Sequence, residues 1–107
     1  MIERCMRVIV FFDLPVNTKK DRKTYAKFRK FLIKDGYDML QFSVYSRITL
    51  NHDDAKKHIA RLMMNQPPKG SVRVLTVTEK QYNSMLILVG KKTAGEDFLA
   101  PKEFLEI

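Results

Sequence analysis

The sequence predicts an α+β domain in which helices cover one face of a mainly antiparallel sheet. Three features of the 107-residue chain predict this class: an apolar strand pattern at residues 6–14, an amphipathic helical pattern at 19–34, and alternating strand and helix patterns after them. The full order is strand, helix, strand region, helix, strand and strand. This order fits a ferredoxin-like βαββαβ sandwich with an additional C-terminal strand.

Length and composition predict one domain. Residues 1–90 are expected to form it, and residues 91–107 to form a polar linker and an apolar docking tail. Apolar residues make up 45% of the chain, which is typical of a globular protein. No apolar run approaches the roughly 20 residues that a membrane helix needs. Cys5 is the only cysteine, which fits a reducing compartment, so a cytoplasmic protein without membrane contact is expected.

The charge balance predicts a polyanionic partner. The chain has 20 Lys and Arg residues against 12 Asp and Glu residues, for a net charge of +8 and a pI near 9.7. Such an excess on a small domain favours nucleic acid as the partner, provided that the charges cluster on one face. The alternative is a solvated basic surface without a specific partner. The placement of the charges decides between these two interpretations.

The first strand pattern ends in a carboxylate. All residues from Met6 to Phe12 except Arg7 are apolar, as in a strand that is buried on both faces. Asp13 follows at once, and Pro15 ends the strand because it has no N–H to donate. A charged group at the end of a buried strand costs desolvation energy unless something pairs with it. Asp13 is therefore the first candidate site residue.

Asp13 has two interpretations. It fits a magnesium ligand, because Mg²⁺ prefers oxygen ligands and often needs only one or two carboxylates plus a phosphate. A two-fold dimer would supply a pair of Asp13 side chains from one position in the sequence. Alternatively, Asp13 forms an Asx-turn with backbone N–H groups in the Leu14-Pro15-Val16 turn. The residues alone leave both interpretations open.

The first helix is predicted to carry two opposed stripes. Thr18, with Asp21 three residues later, predicts its N-cap, and Gly36 predicts its end, so the helix runs from about residue 19 to 34. At 100° per residue, an apolar stripe faces one side and lysines face the other. The apolar stripe consists of Tyr25, Phe28, Phe31 and Leu32.

Phosphate contact is the function predicted for the opposite side of this helix. Lysines at regular spacing bind a phosphate backbone without reading the bases. Arg22 and Arg29 fit bidentate phosphate contacts as well, although Arg29 lies nearer the apolar side, where an internal pair is the alternative. The alternative for the lysines is a solvated face without a specific partner. The predicted nucleic-acid-binding residues, here called the basic stripe, are Lys19, Lys20, Arg22, Lys23, Lys27, Lys30 and Lys34.

The middle of the chain predicts further strands and a second helix. Residues 37–50 fit either one long strand with a bulge near 41–43 or two strands with a tight break. Asn51 predicts the N-cap of the second helix, with His52 at its start and His58 on its surface. The two histidines are six residues apart and have no cysteine nearby, which argues against a zinc site.

The last predicted elements follow a proline-containing loop. Residues 71–77 have the composition of a strand, and the Thr78 to Gln81 capping box predicts a short helical turn. Residues 85–89 form another short apolar run, which predicts the final strand. A hydrophobic tail after a polar linker usually docks on a sheet edge or a partner. The expected docking residues are Phe98, Leu99, Phe104 and Leu105.

Three segments together resemble a known family, the small CRISPR-associated adaptation proteins that form the second Cas family. They are the strand end Phe12–Pro15, the helical segment Tyr25–Leu32, and the run Gln41-Phe42-Ser43-Val44-Tyr45. The likeness covers roughly the first 90 residues in element order. It looks closest to the branch from systems with a single large effector nuclease.

The resemblance carries implications for the site. Some relatives are described as metal-dependent nucleases; Asp13 matches their essential acid, and Tyr45 matches an aromatic position near it. The implied cofactor is Mg²⁺ or another divalent cation. Met39 departs from the pattern, since some nuclease-active relatives have a basic residue there. The catalytic role therefore transfers less directly than the fold.

The resemblance also implies partners. It implies a two-fold homodimer in which the sheets meet and C-terminal segments cross to the other subunit. The dimer would bridge two dimers of the spacer integrase while double-stranded DNA lies across it. A scaffold of this kind needs the tail for docking, whereas a stand-alone metal-dependent nuclease of the toxin type could lose it. A generic RNA-recognition module is the third possibility, and the strands lack its base-stacking signature.

Overall fold

Residues 4–92 are described by the computed structural model, and they form the predicted antiparallel sheet with its long helices on one face. The elements in chain order are β1 (Met6–Asp13), α1 (Lys19–Lys34), β2 (Asp38–Gln41), β3 (Val44–Thr49), α2 (His52–Met64), β4 (Ser71–Thr78) and α3 (Glu79–Asn83). The strand order is β2-β3-β1-β4, with every neighbouring pair antiparallel. The ferredoxin-like α+β class is thus confirmed. Across residues 4–92, no helix combines the length and the apolar character needed to cross a bilayer.

The central strand β1 separates two different environments. Its even-numbered side chains, Val8, Val10 and Phe12, are buried and join the core beneath α1 and α2. Its odd-numbered side chains therefore point to the opposite face, because successive residues of a strand alternate. On that face Arg7 is buried, whereas Phe11 is 39% exposed. We call this second surface the open face of the sheet.

Helix α1 follows the sequence prediction closely. The Thr18 hydroxyl accepts a hydrogen bond from the Asp21 N–H, and the Asp21 carboxylate accepts one from the Thr18 N–H, which completes a capping box. Phe28 and Leu32 are buried against the sheet. Gly36 has φ +92°, and a Cβ there would lie 2.8 Å from an Arg47 guanidinium nitrogen, so the helix end requires glycine.

Residues 37–50 form two strands with a tight break, the second of the two predicted alternatives. Phe42 and Ser43 connect β2 to β3, and the register shifts between Met39 and Gln41. Ser43 has φ +63°, the left-handed conformation that a non-glycine residue adopts at a cost. Because neither turn residue is Gly or Pro, the sequence carries no strong signal for this turn.

Helix α2, strand β4 and helix α3 also match the prediction, and α3 has an added role. Asn51 caps α2, and the Thr78 capping box begins α3. Helix α3 packs on the open face, where the Glu79 carboxylate accepts two hydrogen bonds from the Arg7 guanidinium, at 2.9 and 2.6 Å. The Tyr82 ring centroid lies 4.3 Å from the Arg7 guanidinium carbon. The short helix is therefore held by a buried ion pair.

Two sequence predictions are wrong in this region. Met85–Val89 is not a strand, and its side chains range from 39% exposed at Met85 to 94% at Val89. Within residues 4–92 this run pairs with no strand, so its apolar pattern has no sheet edge to complete. His58 is not a surface residue, since it is only 4% exposed. The predicted tail residues Phe98 to Leu105, and most of the predicted 91–107 segment, lie outside the described residues.

Candidate functional site

Backbone packing positions Asp13 at the end of β1. Asp13 pairs with Ser71, the first residue of β4. Gly70, immediately before Ser71, has φ +96°, and a Cβ there would lie 2.8 Å from the Asp13 carbonyl oxygen and 2.7 Å from a Leu14 methyl carbon. Only glycine therefore lets the loop before β4 approach the end of β1 this closely.

An ion pair ties the same loop to the start of α1. Lys69 Nζ lies 3.2 Å from the carboxylate of Asp21, which also caps the helix at Thr18. Burial acts to raise the pKa of the Asp21 carboxyl, but the hydrogen bonds from Lys69 and Thr18 outweigh it and leave that pKa below its usual value. The end of β1, the loop before β4 and the helix start thus form one connected unit.

An open cleft of about 300 Å³ lies on the open face at this end of the sheet. The turn between β2 and β3 forms one side, and its Ser43 carbonyl accepts a 3.0 Å hydrogen bond from the Phe12 N–H. The polar lining residues are Asp13, Ser43, Ser71 and Arg73. Apolar side chains, chiefly Phe11, Phe42 and Val44, complete the lining.

The Asp13 carboxylate is exposed in this cleft. Among residues 4–92 it has no hydrogen-bond or ion-pair partner, so the alternative of an Asx-turn with residues 14–16 does not form. Arg73 also lines the cleft and likewise forms no ion pair within this part of the chain. An acid and a cation thus share the cleft without neutralising each other.

One chain supplies only part of a metal site. Residues 4–92 contain no group of three or more His, Cys, Asp or Glu side chains that could hold a metal ion. Asp13 offers one carboxylate, and the nearby Ser43 and Ser71 hydroxyls offer neutral oxygens. This set fits Mg²⁺ only if a phosphate, water or a second carboxylate completes the coordination.

Tyr45, the aromatic residue expected near Asp13, packs on Phe12, the residue before Asp13, on the helix side of the sheet. It pairs with Val10 and therefore points to the helix side of the sheet, away from the cleft. It is buried, its ring stacks on Phe12 at 5.7 Å, and its hydroxyl accepts a 3.0 Å hydrogen bond from Arg29 Nε. Arg29 thus pairs internally, the second of its two predicted roles, and the Tyr45 ring points away from the cleft.

The basic stripe is fully presented to solvent. All seven of its residues are exposed along the 16 residues of α1, a length of about 24 Å at 1.5 Å per residue. Its six lysines form no ion pair within residues 4–92, while Arg22 donates hydrogen bonds to the Val16 and Asn17 carbonyl oxygens. The charges are therefore clustered on one surface, as nucleic-acid binding requires.

His58 belongs to a buried polar cluster between the end of α1 and α2. Its Nδ1 lies 2.9 Å from the Asp35 carboxylate, and its Nε2 lies 3.5 Å from that of Asp54. Arg61 donates a 2.8 Å hydrogen bond to Asp35. Burial acts to raise the pKa of the Asp35 carboxyl, but the hydrogen bonds and charges of His58 and Arg61 outweigh burial and leave that pKa below its usual value. Arg47 also reaches this cluster, donating to the Asp35 carbonyl oxygen.

Sequence reasoning missed three residues around the cleft: Phe42, Gly70 and Arg73. A spacing of two places residues 71 and 73 on one face of β4, but only the register with β1 shows that this face also carries Asp13. Gly70 was visible as a loop glycine, and its contact with the Asp13 backbone requires the fold. For His58, the spacing to Ala55 and Leu62 indicates the buried side of α2.

Comparisons with known proteins agree on one family. The profile of the family described as CRISPR associated protein Cas2 matches residues 6–85. A protein of Acidovorax ebreus named CRISPR-associated endoribonuclease Cas2 is 64% identical over 85 residues, which is 79% of this chain and 83% of that protein. A protein of the same name from Flavobacterium psychrophilum is 38% identical over 104 residues, covering 97% of this chain and 89% of its own.

A solved structure supports the fold. The crystal structure of a protein titled cas2 superposes with a TM-score of 0.56, covering 84% of this chain and 92% of that one. The sequence identity is 23%, so this likeness concerns the arrangement of the strands and helices alone.

Proposed function

The chain belongs to the Cas2 family of CRISPR-associated proteins, and on that premise we propose that it acts in CRISPR adaptation as a homodimeric scaffold that binds duplex DNA. In this proposal the dimer bridges two dimers of the spacer integrase during the acquisition of new spacers. The observation that carries the proposal is the basic stripe, an exposed row of cations whose six lysines form no ion pair within residues 4–92.

Duplex binding by the stripe has a measurable electrostatic signature. Each phosphate neutralised by a lysine releases a counterion, so log K falls with log salt by about 0.9 per contact on B-DNA. The double variant Lys23→Gln/Lys27→Gln should therefore weaken duplex binding and flatten this slope by about two. Lys56→Gln/Lys57→Gln on α2 removes the same charge from outside the stripe and serves as the control. A slope unchanged by the stripe variant would contradict the proposal.

The homodimer is supported by apolar surface that one chain leaves exposed. Leu75 on the open face is 51% exposed, and Leu88 beyond α3 is 90% exposed. Large apolar side chains that a single chain leaves exposed favour an interaction surface. A second copy is the proposed occupant, in an interface that uses the same patch on both chains. Light scattering should give twice the 12.6 kDa chain mass, and Leu88→Asp should give the single-chain mass.

A metal-dependent nuclease site at Asp13 is the second candidate function. It is favoured by the exposed Asp13 carboxylate, which has no partner within residues 4–92, and by relatives that are named endoribonucleases. In a two-fold dimer, two Asp13 side chains would supply the carboxylates for Mg²⁺, which when bound polarises a phosphoryl oxygen. The alternative to the scaffold is thus a stand-alone nuclease of the toxin type that cleaves RNA or DNA.

The two functions differ in what they need. A scaffold needs contact with the integrase subunit, for which the docking residues Phe98, Leu99, Phe104 and Leu105 are proposed. Truncation after Gly90 should therefore abolish capture of the integrase subunit in a pull-down. For a stand-alone nuclease, Asp13→Ala should abolish Mg²⁺-dependent cleavage, while truncation should leave cleavage unchanged. Capture of the integrase subunit by the truncated chain would contradict tail docking.

A further inference from the structure

We propose that the rings of Phe42 and Tyr25 enter the minor groove of duplex DNA and make this chain select duplex DNA over duplex RNA. The inference rests on the proposed function for a duplex as the ligand. It goes beyond the basic stripe, because the stripe contacts phosphate, which both kinds of duplex carry. Phe42 is thereby assigned as a specificity-determining residue.

An aromatic pair lies at the flank of α1 that faces the turn between β2 and β3. The Phe42 side chain is 80% exposed at this turn, although it is a large apolar ring. The Tyr25 ring stacks beside it, with centroids 6.5 Å apart and an interplanar angle of 24°, so the Phe42 ring lies on the helix side of the sheet. The left-handed Ser43, whose carbonyl accepts a hydrogen bond from the Phe12 N–H, fixes the turn. The exposed ring is therefore held in one position before any ligand binds.

Two arginines lie on the same flank of α1 as this aromatic pair. Arg22 is three residues before Tyr25 and Arg29 is four residues after it, and residues at these spacings are neighbours on a helix surface. Both arginines are exposed, and neither forms an ion pair within residues 4–92. Arg22 donates hydrogen bonds to two backbone carbonyl oxygens and Arg29 donates one to the Tyr45 hydroxyl, which orients both side chains. One oriented cation thus lies on each side of the rings along the helix.

This arrangement fits the minor groove of B-form DNA. The groove is about 6 Å wide and has a row of phosphates along each rim, so a ring fits between walls of deoxyribose. The two arginines are seven residues apart, about 10 Å along the helix axis, and each can bind phosphate at one rim. The minor groove of an RNA duplex is wide and shallow and displays 2′-hydroxyl groups. A ring placed there loses contact with one wall, so the aromatic contact favours DNA.

Charge favours a duplex over a protein segment as the occupant of this surface. The core of a protein interface is depleted of charged residues. Here, by contrast, the rings lie between two cations that no acid within residues 4–92 neutralises. Arg22 also belongs to the basic stripe, so the aromatic pair continues the surface that is proposed to bind the duplex.

The test measures binding of the full chain to a short duplex DNA and to a duplex RNA of the same sequence. Fluorescence anisotropy in EDTA, which prevents metal-dependent cleavage, gives both affinities. The wild-type chain should bind the DNA more tightly. Phe42→Ala should weaken DNA binding about tenfold, because the ring that the groove would bury is lost, and should leave RNA binding unchanged. Its salt slope on DNA should stay the same, since no phosphate contact is removed.

Two variants serve as controls for the loss of the ring. Phe42→Tyr keeps an aromatic ring and should bind both duplexes as the wild-type chain does. Met64→Ala removes an apolar side chain from an 85% exposed position on α2 and should change neither affinity. If light scattering shows a changed molecular mass for Phe42→Ala, then Phe42→Leu, which keeps the turn apolar, and the wild-type preference decide instead.

Each outcome decides. A loss confined to duplex DNA supports the proposal. An equal loss on both duplexes, no loss on either, or equal affinities of the wild-type chain for the two duplexes would overturn it. Unchanged duplex binding together with lost capture of the integrase subunit would also overturn it and assign the rings to a protein partner.

The proposed duplex scaffold and this inference fail separately. If Lys23→Gln/Lys27→Gln leaves the salt slope unchanged while Phe42→Ala still weakens DNA binding alone, the role of the basic stripe fails and this inference stands. If the stripe variant flattens the slope while Phe42→Ala affects both duplexes equally, this inference fails and the role of the stripe stands.

Discussion

The buried ion pair between Arg7 and Glu79 is expected to dominate the stability of the open face. The two side chains are 4% and 0% exposed, and two hydrogen bonds join them. Glu79→Gln keeps one acceptor oxygen, so it removes one charge-assisted hydrogen bond of about 1.5–3 kcal/mol. It also leaves the Arg7 cation buried without a counter-charge, and breaking such pairs costs about 3–5 kcal/mol in total. We therefore expect Glu79→Gln to lower the free energy of unfolding by about 3 kcal/mol.

Urea denaturation at fixed protein concentration measures this loss, because the stability of a dimer depends on protomer concentration. The double variant Arg7→Met/Glu79→Leu should recover most of it, since an apolar pair replaces a buried ion pair at little net cost. Lys57→Ala is the control, because it breaks the ion pair between Asp54 and Lys57, a lysine that is 57% exposed. It should lower the free energy of unfolding by no more than about 0.5 kcal/mol. A loss below about 1 kcal/mol for Glu79→Gln would refute the reasoning.

Three further predictions concern positions named above. Gly70→Ala should lower the free energy of unfolding by about 1–3 kcal/mol, because φ is +96° and the new Cβ meets the Asp13 backbone; thermal unfolding checks this. Ser43→Gly should raise the same free energy by up to about 1 kcal/mol, because glycine adopts φ +63° without penalty; an unchanged midpoint would contradict this. The pKa values of the Asp35 and Asp54 carboxyl groups are lowered in the fold. The stabilisation that these two carboxylates give the folded state is therefore complete above about pH 4 and is lost as the pH falls further. Asp35→Asn should make unfolding less dependent on pH in that range, as urea midpoints measured across it would show.

Local signals were enough to predict most elements. The capping boxes at Thr18 and Thr78 use residues a few positions apart, so sequence alone locates the helix starts. Element order was enough for the fold class, because strands that alternate with helices leave few arrangements. The turn at Phe42 and Ser43 was ambiguous, since its left-handed residue is not a glycine.

Long-range features were beyond the sequence. The run Met85–Val89 has a strand's composition, but a strand also needs a neighbouring edge, and within residues 4–92 none pairs with it. The cleft depends on the register that sets Arg73 beside Asp13, and no residue near either position encodes that register. The face on which Tyr45 lies also depends on the register of β3 with β1, which directs its side chain into the core.

The most direct test of the scaffold account is the number of new spacers acquired by cells that carry Asp13→Ala or Lys23→Gln/Lys27→Gln. Both variants must first be shown to fold as the wild-type chain does and to bind the integrase subunit. The account predicts that Asp13→Ala still acquires spacers, while the stripe variant acquires few. The opposite pattern, with acquisition lost in Asp13→Ala and normal in the stripe variant, would contradict it and assign the essential chemistry to the acid.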